Sequence, residues 1–386
     1  MPVVEQGSAE IAVLRTLPVR VLPEQGEALT SWLETLARRY SVSFADMTAA
    51  LGISQNRSAT AWLRMGNDRI DRVVLIAGLP SETVRGMTLH KYTDVLPGTY
   101  CTEHSGPFAL WVRHQGARYC PQCLCGSEGR WKSAWYLSWT FACLTHRCLL
   151  VDECPQCHRR QRARSPGVGQ MPAAGTRCRA DILTSSVCEA DLAQVAPLQL
   201  DAEDPVLAAQ RTVDLILRGA NPGFELYGGR PTELRHILAD LRALTQWAYK
   251  SAHPSEFDDY GLNGAVVAVN DQPGTLARPY GSRRRRAGAT PVAADVAAGV
   301  SQVLKVFTAE AKWSAPQILA ELMSADSGVR SYRQPISARA DLSPPLRQAI
   351  GSALVDVRRG RSMQRRFERT GARAAHAATD SGINRR

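Results

Sequence analysis

Residues 119–157 read YCPQCLCGSEGRWKSAWYLSWTFACLTHRCLLVDECPQC, and this stretch governs the rest. Cys120-Pro-Gln-Cys123 is followed after nineteen residues by Cys143-Leu-Thr-His146, a C-x2-C-x19-C-x2-H spacing. A C-x2-C or C-x2-H pair turns tightly enough to offer two ligands to one ion, and two such pairs complete a closed tetrahedron of the kind used by zinc knuckles. A closed four-ligand site leaves no position for an activated water, so metal here argues for a structural role and against hydrolysis.

A second set begins at Cys154-Pro-Gln-Cys157. Its completing ligands are read as Cys178 and Cys188, twenty and then nine residues further on, an interval wider than a knuckle. His158 or Cys125 in place of Cys188 stays open, as does a degenerate second site, so one or two structural zinc ions are expected. Cys101 and His104 form another C-x2-H with no second pair left for it, and Cys125 and Cys148 are spare. Trp131, Trp135 and Trp139 recur at helical spacing and read as the apolar floor of a metal module with little core of its own, with base stacking the lesser reading.

Ten cysteines crowded between Cys101 and Cys188, with no run of ~18 to 20 apolar residues and no export-signal pattern at MPVVEQGSAE, point to metal in a reducing cytoplasm rather than to a disulfide scaffold. The net charge of +11 and pI of 9.4 favour a polyanionic partner, nucleic acid first. Nine arginines between Arg358 and Arg386 face only Glu368 and Asp380, so much of the excess sits near one end. H-x-E, HExxH, GxxxxGK[ST] and GxSxG are all missing, which removes the support for a zinc deaminase, protease, NTPase or serine hydrolase. No catalytic or cofactor-binding residues beyond the metal ligands are assigned.

The remainder is helical in pattern. Leu29, Trp32, Leu33, Leu36 and Ala37 recur at helical spacing after a Pro23–Gly26 turn. Short helices are expected through ADMTAALGI, around Ala61 to Met65 and in DRIDRVVLIAGL. Asp204-Pro205 is a helix start for PVLAAQRTVDLILRG, and PTELRHILADLRALTQWAYK, PVAADVAAGVSQVLKVF, SAPQILAELMS and PPLRQAIGSALVDV follow. The fold class is mainly α and multidomain: an N-terminal helical domain over 1–99, a tandem zinc-knuckle module over 100–200, a helical domain over 201–270, a basic linker over 271–290, a C-terminal helical domain over 291–360 with helix-turn-helix as one option, and a basic tail over 361–386. Arg283, Arg284, Arg285 and Arg286 are candidate phosphate contacts, weighed against a solvated charged surface.

Two stretches resemble the TniQ family, which includes TnsD-type target selectors of bacterial transposons. LPVRVLPEQGEALTSWLETLAR is similar to the family's opening, with Glu27, Leu29, Ser31, Trp32 and Leu33 on its Glu-x-Leu-x-Ser-Trp-Leu helix. YCPQCL, a Trp-rich helix and ACLTHRCLLVDECPQC are similar to its tandem zinc module, with Cys120, Cys123, Cys143, His146, Cys154 and Cys157 on the pattern. Leu-Thr after Cys143 and the Cys178–Cys188 interval depart from it. The resemblance implies a non-catalytic, cytoplasmic, nucleoid-associated adaptor of a mobile element that recognises the insertion target on double-stranded DNA and recruits an AAA+ transposition ATPase and transposase. Two alternatives accompany it: a protein-interaction adaptor for a CRISPR effector complex in an RNA-guided, CRISPR-associated transposon, and a zinc-containing transcription regulator. Self-association is left open.

Overall fold

The computed structural model describes residues 16–53, 59–96, 112–113, 116–166, 169–183, 186–228, 232–251, 292–309, 315–324 and 342–359. Helix dominates them, and the chain divides into two units. No helix among the described residues is long and apolar enough to cross a membrane.

The first unit takes Met1–Asp94, Gly98–Ser138 and Val151–Ala196. Its N-terminal part packs α1 (Leu29–Arg39), α2 (Phe44–Ala50), α3 (Ala59–Trp62), α4 (Asn67–Ala77) and α5 (Ser81–Gly86) around one core. Leu29, Trp32, Leu33, Leu36 and Ala37 of α1 are all but fully buried there, as their spacing predicts. Phe44 meets Trp62 edge-on at 5.7 Å. The Ser43 hydroxyl caps α2 by accepting the Asp46 amide, and Gly78 ends α4 in the left-handed conformation that favours glycine.

The opposite, polar face of α1 is buried as well. Thr30, Ser31 and Glu34 are within 4 % of full burial because the cysteine-rich chain covers them. The Ser31 hydroxyl donates to Glu27 and accepts the Trp131 amide, and Glu34 pairs with Arg162. The tryptophans do not share a helix: Ser133–Tyr136 is a single 3-10 turn flanked by extended chain. All three are nevertheless buried, Trp131 and Trp135 meet edge-on at 5.7 Å, and the Trp131 indole donates to the Gly175 carbonyl. A spacing of four that looks helical is met here by the edge-on packing of Trp131 and Trp135 rather than by helix hydrogen bonding.

The second unit takes Val95–Pro97, Trp139–Leu150 and Pro197–Arg386. It contains the hairpin β1 (Ala142–Cys143) and β2 (Cys148–Leu149), then α7 (Pro205–Leu217) and α8 (Leu234–Ser251). α9 (Ala293–Phe307), α10 (Ala315–Ser324) and α11 (residues 344–359) follow. Asp204 caps α7, accepting the Val206 amide at 2.8 Å, and Pro205 occupies its first turn, as the Asp-Pro signal predicts. The Gln210 side-chain oxygen accepts the amides of Phe141 and Ala142, which ties the hairpin to α7. Deeper in the unit, the Asp240 carboxylate accepts the Tyr227 hydroxyl and the Ser343 amide, while Phe224 and Tyr227 pack edge-on against Phe307. Burial pushes the Asp240 carboxyl up, against the pull of Ser343 and Tyr227.

Candidate metal centres

Two groups of four ligands are assembled. In each, the candidate ligand atoms lie within 4.8 Å of one another. The first is Cys120, Cys123, Cys143 and His146. Pro121 opens the short helix α6 (Pro121–Gly126), and the Cys120 sulfur sits at its N-cap, accepting the Cys123 amide at 3.5 Å. That turn presents both sulfurs of the C-x2-C pair to the same point. Cys143 ends β1, and the tight turn into β2 carries His146, whose Nδ1 is 3.5 Å from the Cys143 sulfur. Arg147 holds the left-handed conformation this turn needs.

The second group is Cys154, Cys157, Cys178 and Cys188. The Cys154 carbonyl accepts the His158 amide at 2.8 Å, and His158 adopts φ 55°, so the chain reverses sharply past Cys157. The nine-residue interval that is too wide for a knuckle is a hairpin. The strands β3 (Asp181–Leu183) and β4 (Ser186–Val187) pair antiparallel, and beyond them the Cys178 amide donates to Ala190 and the Cys188 amide to Ala180. This ladder brings Cys188 beside Cys178. The Cys157 and Cys178 sulfurs are 3.6 Å apart, and those of Cys154 and Cys188 are 3.9 Å apart.

These distances fit a metal better than a covalent bridge. A zinc–thiolate bond of about 2.3 Å gives a tetrahedral S···S edge of about 3.8 Å, whereas a disulfide needs about 2.05 Å. None of the cysteines of either group is joined in a disulfide. Burial pushes the Cys157 thiol up to about 11 and raises Cys178 further. At Cys188 burial also raises the thiol, but the Ala190 amide and the neighbouring thiols outweigh it and leave it lowered. An ion entering this cage must therefore displace protons, after which the four thiolates more than balance its charge.

Of the other sequence candidates, Cys125 and His158 are exposed and stand outside the second group, while Cys148 is buried in β2 outside both. Cys101, His104 and Arg283 to Arg286 lie outside the described residues. The side chains around the second group were not marked by any motif. The Gln161 amide donates to the Cys178 sulfur at 3.2 Å, an outer hydrogen bond of the sort that orients a ligating thiolate. Arg162 stacks over Trp131 at 4.5 Å and pairs with Glu34, which Arg179, next to Cys178, also approaches at 3.4 Å. Close backbone approaches complete the frame: a Cβ at Gly175 would meet the Gly129 backbone, and one at Gly116 would meet the Gln161 carbonyl.

No curated protein matches the chain. A scan against protein-family models matches residues 18–150 to the family described as TniQ. The first ligand group lies within the matched residues and the second lies beyond them. Helix α1, the four helices packed with it and the first cysteine-histidine group are thus the part of the chain that is similar to the TniQ family.

Proposed function

We propose that this chain is a non-catalytic transposition protein that recognises a DNA insertion target and recruits an AAA+ ATPase and a transposase, with structural zinc in both cysteine groups. The TniQ match supports the association with transposition and is the observation that carries the reading. The two ligand sets support the zinc: three thiolates and an imidazole in one, four thiolates in the other, each closed by four protein ligands. Bound there, zinc would supply cross-links between chain segments rather than chemistry on a substrate. Cys120, Cys123, Cys143 and His146 would hold one ion, and Cys154, Cys157, Cys178 and Cys188 the other. Asp152, Glu153 and the arginines beside the second group engage one another in ion pairs, which suits a scaffold better than acid–base catalysis.

The excess of positive charge supports a nucleic-acid partner, and Arg283 to Arg286 and the basic tail are further candidate phosphate contacts. The helices of the second unit, among them α9, α10 and α11, supply elements that could enter a groove. The test is a gel-shift assay of the zinc-loaded protein on duplexes carrying the insertion site of its element and on scrambled duplexes. Salt-sensitive binding that prefers the site is expected. Equal binding to every sequence, with recruitment of the ATPase unaffected by the duplex used, would overturn target recognition.

A further inference from the structure

Between Cys154 and Ala180 the chain holds six arginines and no lysine, aspartate, glutamate, tyrosine, phenylalanine or tryptophan. The structure sorts those arginines into two sets. Arg162 and Arg179 pair with Glu34, and Arg160 lies 3.6 Å from Glu153, so three of them are held by carboxylates of the protein. Arg159, Arg164 and Arg177 are exposed, and among the described residues none of the three has a carboxylate within ion-pair distance. Among the described residues, the Arg177 guanidinium hydrogen-bonds the Glu189 carbonyl at 3.0 Å.

The cysteine group fixes the backbone at Arg159 and Arg177, and Arg164 follows two residues after Arg162, which Glu34 holds. The Arg159 carbonyl accepts the Cys154 amide at 3.0 Å, and Arg177 immediately precedes Cys178, whose sulfur is 3.6 Å from that of Cys157. Arg159 and Arg177 thus flank the two cysteines that meet. Glu34 and Glu153 answer the paired arginines, four thiolates on one divalent ion would add a net negative charge, and Glu189 and Asp191 lie on the strand facing Arg177.

We propose that the rim formed by Arg159, Arg164 and Arg177 is a phosphate-binding surface for duplex DNA. The proposal rests on the DNA-recognition reading above and gives it an address distinct from Arg283 to Arg286. Three observations favour phosphate over other anions and duplex over single strand. The cations are all guanidinium forks, which match phosphate oxygens in pairs, whereas lysine offers a point charge. Arg159 and Arg177 stand beside cysteines that a metal would staple, so little order remains to be imposed there on binding. The segment has no aromatic ring on which an unpaired base could stack, so it suits contacts along the backbone, which set register without reading sequence.

The test uses the full chain loaded with zinc and a fluorescent random-sequence duplex of about 30 base pairs, titrated by anisotropy from roughly 50 to 300 mM salt. The triple variant R159A/R164A/R177A should bind more weakly, and its plot of log affinity against log salt should flatten by about two to three, since each phosphate contact contributes about 0.9. R159K/R164K/R177K keeps the charges and should keep the slope, which carries the test if the alanine variant loses zinc. Unchanged affinity and slope in a zinc-replete alanine variant would overturn the rim while leaving the DNA-recognition reading standing. Failure of the unaltered protein to bind any duplex would remove both. Displacement of the duplex by polyglutamate as readily as by unlabelled duplex would overturn the phosphate assignment in favour of an acidic protein.

Discussion

The Glu34 carboxylate receives both terminal nitrogens of the Arg162 guanidinium, each at 2.8 Å, with the two side chains only 5 % and 11 % exposed. This is a bidentate pair between α1 and the loop that follows Cys157. Burial alone would raise the Glu34 carboxyl, but Arg162, Arg179 and Arg38 outweigh it and hold it below the ordinary glutamate range.

Removing the charge of Glu34 should therefore be costly. Glu34→Gln leaves Arg162 buried without its counter-ion, and an expected loss of about 3–5 kcal/mol follows from breaking a buried pair on one side. Denaturant unfolding followed by tryptophan fluorescence would measure it, because Arg162 stacks on Trp131. The sign with pH is fixed too. A depressed folded pKa means the contribution of Glu34 is present above the ordinary glutamate value and is lost as pH falls through the depressed one. The variant lacks that contribution at every pH, so its deficit relative to the unaltered protein should shrink on acidification.

Metal stoichiometry should separate the two ligand groups. The purified protein is expected to carry two equivalents of zinc, with Cys120→Ser and Cys154→Ser each reducing the content to one. Both should lower the melting temperature, because metal affinity doubles as folding energy. Acidification should release the metal, since protons compete for the thiolates. Elemental analysis beside thermal melting decides it, and a serine variant that keeps both ions would refute the ligand set it was made to test.

Gly116 and Gly126 offer a matched pair. Gly116 has φ 99° and faces the Gln161 carbonyl, whereas Gly126 has open space where a Cβ would stand. Gly116→Ala should cost more than about 2 kcal/mol through strain and overpacking, and should weaken zinc retention because Gln161 bonds Cys178. Gly126→Ala should be neutral within about 0.5 kcal/mol. Equal melting curves for the two variants would contradict the close approach.

Gln210 is the fourth point of leverage. Gln210→Leu keeps the size of the side chain but leaves the amides of Phe141 and Ala142 without their acceptor. The expected cost is about 1–3 kcal/mol for each buried group left unsatisfied. Hydrogen exchange at Phe141 and Ala142 should accelerate in the variant, and unchanged protection there would show that another group takes over.

Periodicity and caps made most helices legible: Leu29–Arg39, the Asp204-Pro205 start and the stretches ending at Phe307 and Ser324 follow from apolar spacing and local capping chemistry. The pairing of Cys120–Cys123 with Cys143–His146 was legible for the same reason, because each pair is local. The fourth member of the second group was legible as Cys188, but with His158 and Cys125 left open beside it. Cys188 reaches Cys178 through a hairpin, and nine residues of ordinary composition do not announce a turn. The indoles misled because a spacing of four is also available to extended chain around one 3-10 turn. Glu34 and Arg162 look solvated in sequence, and only the long-range covering of α1 makes them an interior pair.

The way the chain is threaded bears on its modularity. The stretch that matches the family model stops at residue 150, yet two of the cations facing Glu34, Arg162 and Arg179, come after it, and so does Gln210, which anchors the hairpin carrying Cys143 and His146. A transplant of residues 18–150 into another protein would carry a buried acid left with Arg38 alone and a hairpin with no berth. Domain shuffling would have to move the sequence through α7 as one inheritance, and recombination breakpoints that yield working chimeras are expected beyond residue 217 rather than at the family boundary.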